Sequence, residues 1–361
     1  MAETSLPTNA RVIRWERDFY REYLRTNRFS KLTGADESAP FQVNEDLTRN
    51  IGEQVNFTLV NRLAGAGVTG TNTLEGNEEA LGLRNFRVTV DRTRHAIVHD
   101  RLHEQFSAID LVEAKRAVLM DWFKESVRDR IITALGSIST DGSTHVAYAS
   151  ASEANKDTWL VNNNDRVVFG EASAGYTDHS ADLLLLDTTN DILDTDALMR
   201  MKDKAKSATP KIRPIRVKDD EEWYVVLAHT KLFRQAQASL ATVNQNAWER
   251  ARGESNPLFT GGDLIYDGLI IKEVPEISAL GTVGASSANV APAYLIGAQA
   301  VAYAIATRSR MIQNVRDFGA KQGAGVEMVD AIKKFYFGSG AGDTDTPKQN
   351  GVVTGYFAYT P

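Results

Sequence analysis

Twenty residues, Leu63 to Gly82, separate two strand-like segments and hold almost nothing that can fold by itself. Before them runs Val55-Asn-Phe-Thr-Leu-Val60, and after them Phe86-Arg-Val-Thr-Val-Asp91, in which Phe86, Val88 and Val90 share one side by a period of two. Hairpin loops usually take about 2–5 residues, and structureless loops beyond about 12–15 are uncommon in compact domains. This stretch is longer, carries five glycines and is poor in large apolar side chains. Too little apolar surface is present to offset the entropy of ordering it. Either it is a disordered insertion, or something outside the subunit holds it. Two well-patterned strands leading in and out favour the second reading.

The strongest helical pattern covers residues 107–135. Ile109, Val112, Leu119, Met120, Phe123, Val127, Ile131 and Leu135 recur at helical spacing, with Glu125 and Asp129 opposite. Ser107 and Asp110 suit its N-terminal cap, Asp110 and Glu113 the positive helix end, and Gly136 its stop. Such a helix is about 43 Å long and reads as a spine for other elements. Phe123 and Ile131 are expected to bury against the strands near Phe86–Val90 and Ile265–Ile271.

Residues 9–30 read as a second amphipathic helix. Arg11, Arg14, Arg17, Arg21, Arg25 and Arg28 fall on one face, while Val12, Ile13, Trp15, Phe19, Tyr20, Tyr23 and Leu24 cover the other. From Arg11 to Lys31, seven basic less three acidic residues leave a surplus of four. That face suits a partner, a membrane surface, nucleic acid, or simply solvent. Further helices fit Thr195–Lys206 and Thr230–Arg252, and strands fit Glu222–His229, Leu264–Tyr266, Leu269–Val274 and Val352–Tyr359. Asp267-Gly268 is a hairpin turn signal, Asn256–Gly262 reads as a turn, and residues 137–181 are mixed. Tyr294 to Ala306 reads as a strand followed by a helix.

Composition narrows the class. There is no cysteine, so no disulfide framework and no thiolate metal site, which suits a reducing cytosol. The N-terminus lacks the basic start and apolar core of a signal peptide, and Pro292, Gly297 and Gln299 break the longest apolar run well short of a membrane span. Net charge is −6, from 41 basic and 47 acidic side chains, so any contact with nucleic acid is expected to be local.

Motifs for catalysis are not found. There is no Gly-x-x-x-x-Gly-Lys-Ser/Thr loop and no Gly-x-Ser-x-Gly elbow. His95, His99 and His103 are four residues apart, but His95-Ala-Ile-Val-His99 continues a strand pattern, so polar residues on a strand and its exit loop are expected, not a metal site. A calcium loop from Asp343 fails, because its sixth position is Lys348 and its twelfth Thr354. No cofactor and no enzyme activity are expected.

The order of elements then becomes the signal. A basic N-terminal helix, a long strand pair with an unsupported Gly-rich tip, a spine helix and a mixed second unit resemble the Hong Kong 97-type fold of tailed-bacteriophage coat proteins. Ile51-Gly-Glu-Gln-Val-Asn-Phe57, the tip itself, Val90-Asp-Arg-Thr-Arg-His95, Asn164-Asp-Arg-Val-Val-Phe-Gly170, Leu258-Phe-Thr-Gly-Gly262, Tyr266-Asp-Gly-Leu-Ile-Ile271 and Arg316-Asp-Phe-Gly-Ala-Lys321 all fit that family. The resemblance spans almost the whole chain.

That resemblance implies an α+β fold with an N-terminal arm at 1–52, an extended loop at 53–98, and a peripheral domain at 99–184 that holds the spine helix. An axial domain would follow at about 185–320, with a return to the peripheral domain at 321–361. It implies a shell subunit gathered into pentamers and hexamers around packaged double-stranded DNA, made in the host cytoplasm and resident in the virion capsid. The tip residues Gly65, Gly67, Val68, Gly70, Leu74, Glu75 and Gly76 would touch a neighbouring copy. Arg11, Arg14, Arg21, Arg25 and Arg28 would face DNA or a neighbour. No charged helical leader is present, so a separate scaffolding protein is implied, together with a portal; decoration proteins are allowed, and a membrane is not. Two other classes compete: a different virion component such as a decoration or tail protein, and a soluble carbohydrate-active protein.

Overall fold

The computed structural model describes residues 29–48, 52–60, 63, 65, 67–106, 111–172, 174–218, 221–247, 264–338 and 346–360. The expected N-terminal helix with its arginine face, the cap pair Ser107 and Asp110, the turn at 256–262 and the loop beyond Asp343 lie outside the described residues. Short 3-10 turns aside, the described residues begin with β1 (Thr33–Gly34), β2 (Phe41–Asn44), β3 (Gln54–Val60), β4 (Leu83–Thr89), β5 (Asp91–Asp100), α1 (Arg101–Phe106) and α2 (Leu111–Gly136). Next come α3 (Glu153–Asn162), β6 (Val167–Phe169), α4 (His179–Leu183), α5 (Thr195–Ser207), β7 (Arg216–Lys218), β8 (Glu221–Ala228) and α6 (Thr230–Ala247). The remainder is strand: β9 (Leu264–Tyr266), β10 (Leu269–Glu273), β11 (Asn289–Ile296), β12 (Val301–Arg316), β13 (Lys321–Lys334), β14 (Tyr336–Gly338), β15 (Pro347–Gln349) and β16 (Val352–Tyr359).

Two compact units result. The first takes residues 1–55, 88–134 and 301–333. Its five-stranded sheet runs β1-β2-β12-β13-β5, with β5 and β13 antiparallel from Asp91↔Asp330 to Lys321↔Asp100. The long helix is fixed to this sheet at three points two turns apart. Lys115 Nζ donates to the Gln322 carbonyl at 3.4 Å, the Trp122 ring lies 4.6 Å from that of His95, and Arg130 makes two 2.8 Å bonds to the buried Asp330. Leu119, Met120, Phe123, Val127 and Ile131 are buried, whereas Glu125 and Asp129 are exposed, as the helical spacing requires. The expected helix is observed over Leu111–Gly136, its expected start at 107–110 lying outside the described residues, and the short α1 lies ahead of that gap.

The second unit takes residues 56–87, 135–300 and 334–361. Its main sheet runs β6-β16-β11-β8-β10-β9, with β7 beside β8. The turn Asp267-Gly268 joins β9 to β10, and both residues adopt positive φ, the geometry for which this dipeptide is suited. Leu198, Met201 and Ala205 of α5 and Leu232, Ala236 and Leu240 of α6 cover Val226, Leu269, Ile271, Leu295, Val353 and Phe357. That cluster holds no residue of α2, so the expected packing of Phe123 and Ile131 against residues 265–271 is not what those strands use; their apolar side is taken by α5 and α6. A second expectation is also corrected. Tyr294–Ala306 is not strand then helix but the end of β11 and the start of β12. Residues 290–305 are buried almost without a break. A segment covered on both faces loses the period that separates strand from helix, and its small side chains then mislead.

Candidate assembly site

Asn56, Thr58 and Asn85 show how the strand pair β3–β4 is built. On its outer side Thr58 Oγ1 donates to Asn85 Oδ1 at 3.1 Å and Asn56 Nδ2 to the same atom at 3.4 Å. On the other side Val55, Phe57, Phe86 and Val88 are buried by strict alternation, as the sequence pattern requires, although β4 ends at Thr89 and the Val90 N–H bonds to the Glu53 carbonyl instead. Phe57 and Phe86 meet Phe335 with ring centroids at 5.1 and 5.2 Å, and Phe86 also meets His145 at 5.8 Å and Phe337 at 6.2 Å. The base of the pair is therefore clamped by aromatic packing, worth about 0.5–1.5 kcal/mol per ring pair beyond burial.

Toward the tip this support ends. Val60, Leu63, Leu74, Leu81 and Leu83 are all exposed, five of the fifteen large exposed apolar side chains among the described residues. Gly65, Gly67, Gly70, Leu74, Glu75 and Gly76 are exposed as well, and Val68 is half-buried. Gly67, Gly70 and Gly76 have φ of 72, 73 and 87°, with nothing within 4 Å of where a Cβ would stand. Glycine is demanded there by backbone conformation and not by space. What order the tip has comes from its own polar groups: the Gly65 N–H donates to Glu79 Oε2 at 2.7 Å, the Gly76 N–H to Glu78 Oε2 at 2.8 Å, and the Asn77 N–H to the Leu74 carbonyl at 3.0 Å. From Leu63 to Leu83 the chain carries Glu75, Glu78 and Glu79 and no basic residue, so the tip is acidic.

The histidine trio does not form a ligand set among the described residues. His95 and His99 lie on β5, as expected, and His103 sits on α1 where an exit loop is expected, because the chain turns helical directly at Arg101. Two features escape sequence reading altogether. Phe318 stands fully exposed on the turn Asp317–Gly319 between β12 and β13, with φ of 48°; the segment Arg316–Lys321 carries no local sign of this. A buried histidine beside three carboxylates joins α3 to α4.

The strand pair is thus anchored at one end and apolar but uncovered at the other. The comparisons give the chain a family. The model of the phage capsid protein family matches residues 3–359, and the chain belongs to that family. It is 27% identical over 367 residues to a major capsid protein of Pseudomonas phage KPP25, covering 97% of this chain and 96% of that protein. Among solved structures it resembles the capsid of cyanophage Pam1, with a TM-score of 0.83 and 34% identity over 99% of both chains. The capsid of Ralstonia phage GP4, at a TM-score of 0.70 and 21% identity over 93% of this chain and 92% of that one, shares the fold. The fold is thus the Hong Kong 97-like capsid fold, and the chain is a shell-forming coat protein of a phage virion.

Proposed function

We propose that β3, β4 and residues 61–82 form an arm that lies on an adjacent copy and locks an icosahedral shell around double-stranded DNA. The observation that carries this is the contrast between an aromatic clamp at Phe57 and Phe86 and five bare apolar side chains from Val60 to Leu83. Exposed apolar surface concentrated on one projecting segment is the usual mark of an interface. Gly65, Gly67, Val68, Gly70, Leu74, Glu75 and Gly76 are the contact residues, with Leu74 the apolar anchor and Glu75 its charged flank. In this reading residues 1–52 are the arm at the N-terminus, 53–98 the extended loop, 99–184 the peripheral domain, and about 185–320 the axial domain around pentamer and hexamer centres. The chain then returns to the peripheral domain at 321–361; the sheet that β12 and β13 share with β5 supports such a return for residues 301–333, whereas β16 lies in the sheet of the second unit.

The work of this chain is assembly and not catalysis. Assembly takes place in the host cytoplasm with a separate scaffolding protein and a portal, decoration proteins being optional additions. Arg11, Arg14, Arg21, Arg25 and Arg28 face packaged DNA or a neighbour. The test is electron microscopy and size-exclusion of the purified chain and of a variant lacking residues 67–76. Shells or capsomers from the parent, and a folded but unassembled variant, are the expected results. Shells of normal yield from the shortened chain would overturn the reading. Hydrogen exchange supplies a second check: residues 67–81 are expected to gain protection on assembly, and equal protection in both states contradicts the proposal.

A further inference from the structure

Ser152 and Asp178 begin two helices whose starts meet. Ser152 caps α3, which places Glu153 in its first turn and Asp157 one turn further along the same face. Asp178 caps α4, its Oδ1 accepting from the Ala181 N–H at 2.9 Å and the Ser180 hydroxyl at 2.8 Å. Asp157 Oδ1 accepts from the His179 N–H at 2.8 Å, drawing the two starts together. One oxygen from each of Glu153, Asp157 and Asp178 then lies within 4.8 Å of the other two. Among the described residues, the ammonium that pairs with any of the three is that of Lys156, 3.2 Å from Glu153 Oε2 and 4.8 Å from the centre of the Tyr148 ring. Three carboxylates against one ammonium leave a net charge of −2, and like charges this close oppose one another unless a cation joins them.

The second observation is His179. Its side chain is fully buried among the rings of Tyr148, Trp159, Phe169 and Tyr356, at 5.6, 6.2, 5.9 and 5.2 Å. Neither ring nitrogen has a hydrogen-bond partner, and Nδ1 stands 3.8 Å from Glu153 Oε1. Buried polar atoms are satisfied in the great majority of cases, so an orphaned imidazole nitrogen aimed at an acidic cluster calls for an occupant. Neutral imidazole is the form that ligates a metal.

We propose that Glu153, Asp157, Asp178 and Nδ1 of His179 bind one divalent transition-metal ion of the Mn2+ or Zn2+ class, pinning the start of α3 to the start of α4. Carboxylates alone suit Mg2+, Ca2+ or Mn2+, whereas an imidazole in the set favours Mn2+ and Zn2+ over Ca2+. Ligand atoms on opposite sides of such an ion are about 4 Å apart. The three carboxylate oxygens already stand within 4.8 Å of one another without His179, whose Nδ1 is 3.8 Å from Glu153 Oε1, so completing the set requires the ring and the carboxylates to move toward one another.

The experiment uses the full chain, stripped with a chelator and titrated by calorimetry with Mn2+, Zn2+, Ca2+ and Mg2+ in turn. One saturable site is expected, at least about tenfold tighter for Mn2+ or Zn2+ than for Ca2+ or Mg2+. Asp157→Asn with Asp178→Asn is expected to weaken it by about a hundredfold or more, scaling from the losses that even outer ligand partners cause. Because His179→Phe alters a buried ring, the role of His179 is also read without mutation, as a nitrogen coupling in the pulsed electron-resonance spectrum of bound Mn2+. No saturable binding, equal binding by the double variant, or bound Mn2+ without nitrogen coupling would each overturn the proposal. The last outcome would leave an ordinary acidic cluster beside a histidine held only by aromatic packing.

Discussion

Lys334 is a charged side chain placed where charge is costly. It is 1% exposed, and its Nζ donates to the Leu135 carbonyl at 3.1 Å and to Gln349 Oε1 at 2.9 Å. The rings of Tyr336 and Trp159 stand 5.5 and 5.7 Å away, and no carboxylate pairs with it among the described residues. Burial pushes its pKa down to about 7, well below the usual lysine value near 10.5. The unfolded chain therefore holds more protons than the folded one between those two values, so stability rises with pH from about 7 upward; the cost of burying the charge is fully present below that. The urea midpoint is expected to climb between pH 7 and pH 9, below the range in which burial of Tyr336 and Tyr356, which raises both their pKa values, works against the fold. Lys334→Met, of similar volume, is expected to remove that climb, and an unchanged slope in the variant would refute the assignment. The sequence holds a hint of this: Lys333 and Lys334 are adjacent on β13, and a period of two sends one outward and the other inward. Which of the two is buried follows only from the distant Leu135 and Gln349, and no local pattern reveals it.

The elements that were readable from the sequence are those covered on one face only. The stripe of α2 is such a case, and it yields a paired prediction. Phe123 is 1% exposed, so Phe123→Ala is expected to cost about 3–5 kcal/mol through lost burial and the cavity left behind. Glu125 faces solvent, and Glu125→Ala is expected to stay within about 0.5 kcal/mol of the parent. Thermal melts of both variants check the split, and similar losses would mean that the core face is misassigned. β3, β4, β8 and β16 were readable for the same reason, or through their β-branched and aromatic content. β11 and β12 were not, because burial on both faces erases the period. The clamp at the base of the strand pair was half visible: alternation marks Phe57 and Phe86, but Phe335 and Phe337 arrive from about 250 residues further along. The acidic set beside His179 was hidden likewise. Glu153 and Asp157 are one turn apart in sequence, whereas Asp178 and His179 come from the next helix across an intervening strand.

For the whole molecule, charge and assembly become one question. The net charge of −6 conceals an acidic tip from Leu63 to Leu83 and a segment from Arg11 to Lys31 with a surplus of four positive charges. In a shell made of identical copies both charges repeat at every position, and under the proposed function the basic segment would meet one of two groups of the right sign: packaged DNA, or the acidic tip of a neighbour. Salt separates them. Contact with DNA phosphates releases counterions, so its strength falls linearly in log–log form, with a slope of about −0.9 per neutralised phosphate. A protein pair at an exposed interface is screened more gently over the same range. Replacing Arg14, Arg21 and Arg25 together by glutamine removes three charges and leaves the apolar residues of the segment unchanged. Subunit melting is therefore expected to be unchanged. If the face meets DNA, the variant shells form in normal yield, hold less DNA, and lose it with a salt slope shallower by about three. If it meets a neighbour's tip, shell yield falls even without DNA, and Glu75→Lys in the same chain compounds or relieves the defect, whereas in the DNA case it leaves retention untouched. Shells that form, package and resist salt as the parent's do would show that the arginines serve neither partner and only keep that face in solvent.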